Sequence, residues 1–140
     1  KYWKSYILNE PNAISVFENK PLSELYDLSI DHFLPWSFVT HDLLWNLHPV
    51  NKKVNSSKNN ILPNKKYFTK FYSLQFSFCK HLLNNDLRKP LENYYNLFKC
   101  SNNELNNLPQ EGFIKKMDSF YLPQFELAKN MGFGAGWNLD

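Results

Sequence analysis

The stretch Ser29–Asn60, SIDHFLPWSFVTHDLLWNLHPVNKKVNSSKNN, is where the fold of this chain is decided. Its start completes LYDLSIDHF, whose alternation of apolar and polar side chains predicts a strand ending near His32, before Pro35 breaks the ladder. WNLHPV predicts a second short strand, so a hairpin-like pair brackets the irregular loop PWSFVTHDLL. NKKVNSSKNN then predicts a short helix that stops before Pro63. Within this packed segment Asp31 and His32 stand side by side, and its end is basic and amide-rich with no acid. Neither feature is what a core alone requires.

The rest of the chain sets the frame. With 140 residues, 43% of them hydrophobic and 17% aromatic, it fits one folded domain with a core of its own. No apolar run approaches the roughly 18 residues of a membrane span, and the N-terminal residues show no basic-then-apolar pattern, so no membrane partner is expected of these residues. The chain begins on Lys1, which reads as a domain excised from a longer protein whose other domains are candidate partners. Cys79 and Cys100 lie far apart in no CxxC pair, which excludes a Cys-based zinc ribbon and points to a reduced, cytoplasmic compartment.

KYWKSYILNE predicts a helix closed by Glu10-Pro11, and Ile14–Phe17 a β-like piece before the turn at Glu18–Pro21. In KKYFTKFYSLQFSFCKHLLNN, Phe68, Phe71, Tyr72, Gln75, Phe76, Cys79 and Leu82 fall at helical spacing, an aromatic stripe read as core and not as a cofactor box. PLENYYNLF and the segment from Gln110 toward Met131 are also helical, the latter interrupted or bent at Pro123. The closing GFGAGWNLD lacks the Lys-Ser/Thr of a phosphate-binding loop and reads as a loop or tail. Trp36 and Trp45 read as core anchors.

The net charge of +3 hides an uneven distribution. No acid lies between Asp42 and Asp86, an interval holding Lys52, Lys53, Lys58, Lys65, Lys66, Lys70 and Lys80. Outside it, nine basic residues face thirteen acids. A basic block beside aromatics is the footprint of a polyanion, unless it is only a solvated face.

Asp31-His32, Asn46 and Asn55, with Asn46 fourteen and Asn55 twenty-three residues beyond His32, resemble the HNH endonuclease motif. The spacing is similar to the HNH domain of RNA-guided CRISPR nucleases, and DHFLPWSF, LWNLHPV and VNSSK are similar to the HNH branch of bacterial restriction and defence proteins. The resemblance covers residues 12–63. It implies a ββα-metal core over these residues; with residues 64–140 read from their own pattern as a mainly helical extension that braces it, the expected fold is α+β.

The chemistry of phosphodiester cleavage explains the residue types. An imidazole suits activation of water, so His32 is the expected general base. A hard divalent cation, Mg²⁺ or Mn²⁺, suits the phosphate and the departing oxygen, with Asp31 and Asn55 as its oxygen ligands. The resemblance gives Asn46 a positional role, hydrogen-bonding the loop that carries His32. It also gives Lys58, one turn beyond Asn55, a phosphate contact. The zinc-binding cysteine pairs of many relatives are missing: ISVFENKPL stands where one pair often lies, so no structural zinc is expected and packing must brace the module. A structural Asp31–His32 ion pair is the bland alternative, outweighed by Asn46, Asn55 and Lys58 at these spacings. His41, His48 and His81 read as structural or surface residues, with His41 in the loop over the site the one to watch. The expected activity is metal-dependent hydrolysis of DNA, ahead of RNA, with Lys52, Lys53, Lys58, Lys65 and Lys66 on the nucleic acid. The alternative is an inactive nucleic-acid-binding module on the same scaffold.

Overall fold

The computed structural model describes residues 1–140. Strand β1 (Leu28–His32) pairs antiparallel with β2 (Leu47–Asn51), in register from Leu28 opposite Asn51 to His32 opposite Leu47. The ladder ends at His32, as the alternation predicts. The second strand starts two residues later than Trp45, because Leu44–Asn46 wind into a single 3₁₀ turn. Between the strands, α2 (Trp36–Val39) is a four-residue turn of helix begun by Pro35 and closed by Thr40 in the left-handed region. At the end of β2, Asn51 accepts a hydrogen bond from the Lys53 amide at 2.9 Å, capping α3 (Lys52–Lys58) and turning strand directly into helix.

Four further helices follow: α4 (Phe68–Asn84), α5 (Arg88–Phe98), α6 (Asn102–Asn107) and α7 (Gln110–Asn130), with α1 (Tyr2–Asn9) preceding the hairpin. The architecture is α+β, one small sheet among helices. None of the helices is long and apolar enough to cross a membrane. Two expectations need correction. Ile14–Phe17 makes only one bridge, Ile14 to Pro21, because Asn19 takes a positive φ of 56° and the chain doubles back before a ladder can grow. Helix α7 runs through Pro123, so of the interruption or bend expected there the interruption does not occur; the missing N–H costs it one hydrogen bond without ending it.

The stripe on α4 is core. Phe68, Phe71, Tyr72, Leu74, Phe78 and Leu82 are buried in one cluster of 27 side chains that also takes in Trp3, Phe17, Phe33, Tyr121 and Trp137, so hairpin, helices and tail share it. The closing tail is pinned: Leu62 and Asn64 donate to the Gly134 and Trp137 carbonyls at 2.8 Å each. Phe17, in the segment that replaces the cysteine pair, packs edge-on against Trp137, Tyr67 and His48. Both cysteines are free, and burial pushes the Cys79 thiol up to about 12.

Phe33, the first residue after β1, fixes the path of the loop. It is fully buried, stacked on Phe71 at 3.9 Å with Phe68, Tyr121 and His48 at its edges. Phe33→Ala is expected to cost about 3–5 kcal/mol in urea unfolding, with the denaturant slope unchanged. A loss under about 1 kcal/mol would mean that the loop is held by its hydrogen bonds and not by this ring.

Candidate active site

Asp31, His32 and Asn55 line one open, polar cleft of ≈ 300 Å³, together with Pro35, Trp36, Ser56, Asn59 and Asn60. Strand neighbours normally face opposite ways. Here β1 stops at His32, and both side chains reach the cleft from the strand's last two positions.

Asp31 sits at the floor, 2% exposed. Its partner in the ladder is His48, whose Nε2 lies 2.8 Å from Asp31 Oδ2. A carboxylate only accepts, so His48 Nε2 carries the hydrogen. His48 Nδ1 has no partner, and Phe17, Phe33 and Phe71 surround the ring edge-on. Lys58 is fully buried and donates to Asp31 Oδ1 at 3.2 Å and to the His32 carbonyl at 2.7 Å. Burial pulls its ammonium below the ordinary lysine value, and Asp31 opposes that pull. The amine expected to face a phosphate thus points inward, because Asp31 would otherwise be a buried carboxylate with one partner.

His32 is partly exposed, and its Nε2 lies 2.7 Å from Oδ1 of the exposed Asp42. The acceptor carboxylate places a ring hydrogen on Nε2, so in the neutral tautomer Nδ1 is the nitrogen with the lone pair. Asn46 is fully buried and clamps Leu34 from both sides: its Oδ1 accepts from the Leu34 amide and its Nδ2 donates to the Leu34 carbonyl, both at 2.9 Å. The Asn46 carbonyl also accepts from Phe33 at 2.8 Å. Asn55 donates its amide nitrogen to Ser29 Oγ at 2.8 Å, which leaves its amide oxygen unengaged.

The lysine block is acid-free in sequence but not in space. Lys65 reaches Glu126 at 3.1 Å and Lys66 reaches Asp140 at 3.3 Å, both exposed pairs that a polyanion can displace at small cost. Lys52 and Lys53 are exposed and make no side-chain bond. Trp36, read as a core anchor, is 51% exposed at the cleft, because Pro35 starts a new turn that swings it outward; Trp45 is buried as expected. His41 is exposed and lies outside the cleft; its neighbour Asp42 is the residue that meets His32. Sequence reasoning missed the parts of Asp42 and His48. Antiparallel register had put His48 opposite Asp31, the one available signal.

No cluster of three or more His, Cys, Asp or Glu side chains forms in the chain. The oxygen donors present nonetheless fit a hard divalent cation. Each Asp31 oxygen accepts one hydrogen bond and keeps a second lone pair, and the Asn55 oxygen keeps both, leaving other positions to water and phosphate.

A hairpin running into a helix, with an imidazole, a carboxylate and an amide oxygen in the cleft between them, is a ββα arrangement. The family model described as HNH endonuclease matches residues 17–64, the segment that holds the hairpin and α3. No curated protein and no solved structure gives a significant match to the chain.

The buried pair makes a stability prediction. Asp31→Asn strands the Lys58 ammonium, and Lys58→Met strands the carboxylate, so each is expected to cost about 3–5 kcal/mol. The double variant should cost far less than the two losses added, measured by urea unfolding without metal. Additive losses would show that the two charges are not coupled.

Proposed function

We propose that the cleft hydrolyses phosphodiester bonds in DNA, with RNA the lesser substrate, using one Mg²⁺ or Mn²⁺ ion. The observation that carries this reading is the meeting of His32, Asp31 and Asn55 in a single polar cleft within a segment that matches the HNH endonuclease family. His32 is the general base. Asp42 holds the hydrogen on Nε2, so Nδ1 takes the proton of the attacking water. Asn46 keeps the Phe33–Leu34 backbone rigid immediately after that base. Asp31 and Asn55 hold the cation, which when bound neutralises phosphate charge and assists the departing oxygen. The P–O3′ bond breaks, leaving 5′-phosphate and 3′-hydroxyl ends. Oxygen-only ligation favours Mg²⁺ or Mn²⁺ over Zn²⁺.

One observation favours the rival, a module that binds nucleic acid without turnover: the Lys58 ammonium already sits on the Asp31 carboxylate. A plasmid-nicking assay with and without Mg²⁺ separates the two. The wild-type chain should nick in Mg²⁺ and stop in EDTA; full activity in EDTA would remove the mechanism. His32→Ala should lower the nicking rate by about 10²–10⁴-fold and leave DNA affinity nearly unchanged. Nicking at the wild-type rate would exclude His32 as the base.

The lysines supply the phosphate contacts in this reading. Lys52, Lys53, Lys65 and Lys66 changed together to Gln should flatten the salt dependence of DNA affinity, by about 0.9 in log–log slope for each true duplex contact. The weakening should be similar across sequences, since phosphate contacts position without specifying. An unchanged slope would move the binding surface elsewhere.

A further inference from the structure

Trp36 is a cleft residue to which hydrolysis assigns no task. Of the four tryptophans, Trp3, Trp45 and Trp137 are 3%, 6% and 8% exposed, whereas Trp36 is 51% exposed. It is the one large apolar side chain among the cleft's lining residues. Other rings of its loop find partners within the chain: Phe38 meets Phe133 at 5.8 Å and Trp45 meets Phe120 at 4.9 Å. Trp36 meets no ring of the chain.

Its backbone is nonetheless tightly held. The Pro35 carbonyl accepts from Phe38 and Val39, and Thr40 closes the turn onto the Trp36 carbonyl. Leu34, one residue upstream of Pro35, is gripped by Asn46. The short path from His32 to Trp36 is therefore fixed at both ends, so the backbone that carries the indole is held on the same cleft as His32. An exposed, preorganised aromatic face in a polar cleft suits a flat apolar ligand edged with polar groups, and a nucleobase has that chemistry.

We propose that Trp36 is a stacking platform for a nucleobase beside the scissile phosphate, and that the cleft therefore prefers a strand whose bases are unpaired at that point. This rests on the reading of the cleft as a nucleic-acid site. In an intact duplex both faces of each base are already covered, so an indole gains a partner only from a single-stranded or everted nucleotide. The side chains of Ser56, Asn59 and Asn60, on the same cleft, offer uncharged donors and acceptors to base edges and sugar. Stacking tolerates any base, so the preference is for strand state and not for sequence.

The test uses tryptophan emission of the full chain in EDTA, where no cleavage intervenes. A single-stranded oligonucleotide should quench the acrylamide-accessible part of the emission, which comes from Trp36, and a blunt duplex of the same sequence should quench it far less. Trp36→Ala should bind the single strand about tenfold more weakly, remove the quench and leave duplex affinity unchanged. Trp36→Phe, which keeps a ring, should recover most of the affinity without the quench. His32→Ala should bind and quench like the parent while failing to nick. If the parent nicks DNA but the single strand binds without quenching, or Trp36→Ala keeps full affinity, the stacking role is overturned and the nuclease reading stands. If the parent neither binds nor nicks nucleic acid, both fall together.

Discussion

Asp31 offers its two oxygens to two different elements, Oδ2 to His48 on β2 and Oδ1 to Lys58 on α3, and the geometry of the cleft depends on that division. A carboxylate at 2% exposure cannot stand alone. Once both partners are in place, the end of β1, the start of β2 and the last turn of α3 are fixed relative to one another. Lys58 adds the His32 carbonyl to the same knot, so the backbone of His32 is tied to the helix that carries Asn55. A buried pair of this kind adds little net stability compared with an apolar substitute. What it supplies is a single arrangement of three short elements, none of which would hold its shape in isolation.

The helical extension is the second half of that support. Gln75, fully buried on α4, donates to the Leu44 and Leu47 carbonyls at 3.2 and 2.8 Å. Tyr121, on α7, donates to the Trp45 carbonyl at 2.6 Å and also reaches Asn46 Oδ1. These hydroxyl and amide contacts satisfy backbone carbonyls in the irregular turn before β2 and at its first residue, Leu47. Phe33 and Phe71 complete the joint by stacking. The helices therefore act on the loop through a few directed hydrogen bonds set in an aromatic surround.

The elements that obeyed a period were legible in the sequence: β1 from its alternation, α3 from its position before Pro63, and α4 from its aromatic stripe. Asp31, His32, Asn46 and Asn55 were legible as a spaced set. What escaped was whatever depended on two segments meeting. Asp42 approaches His32 only because α2 folds the loop back. The direction of Lys58 follows from where Asp31 is buried, and helical spacing carries no such information. Trp36 looked like core because its composition is core-like, yet a proline one residue earlier reversed its facing. Lys65 and Lys66 are remote from any acid along the chain and adjacent to Glu126 and Asp140 in space.

Trp137 donates its indole hydrogen to Ser57 Oγ at 3.3 Å, across 80 residues of sequence, while its backbone bridges Pro63. The seven-residue α3 is thus clasped by chain made long after it. A helix this short has no independent lifetime, and contacts of such separation form late. During synthesis the hairpin and α3 leave the ribosome well before Trp137 does, so the cleft cannot close into its working shape while the nascent chain is still short. Placing the clasp so far downstream of α3 delays assembly of the cleft until Trp137 has been made.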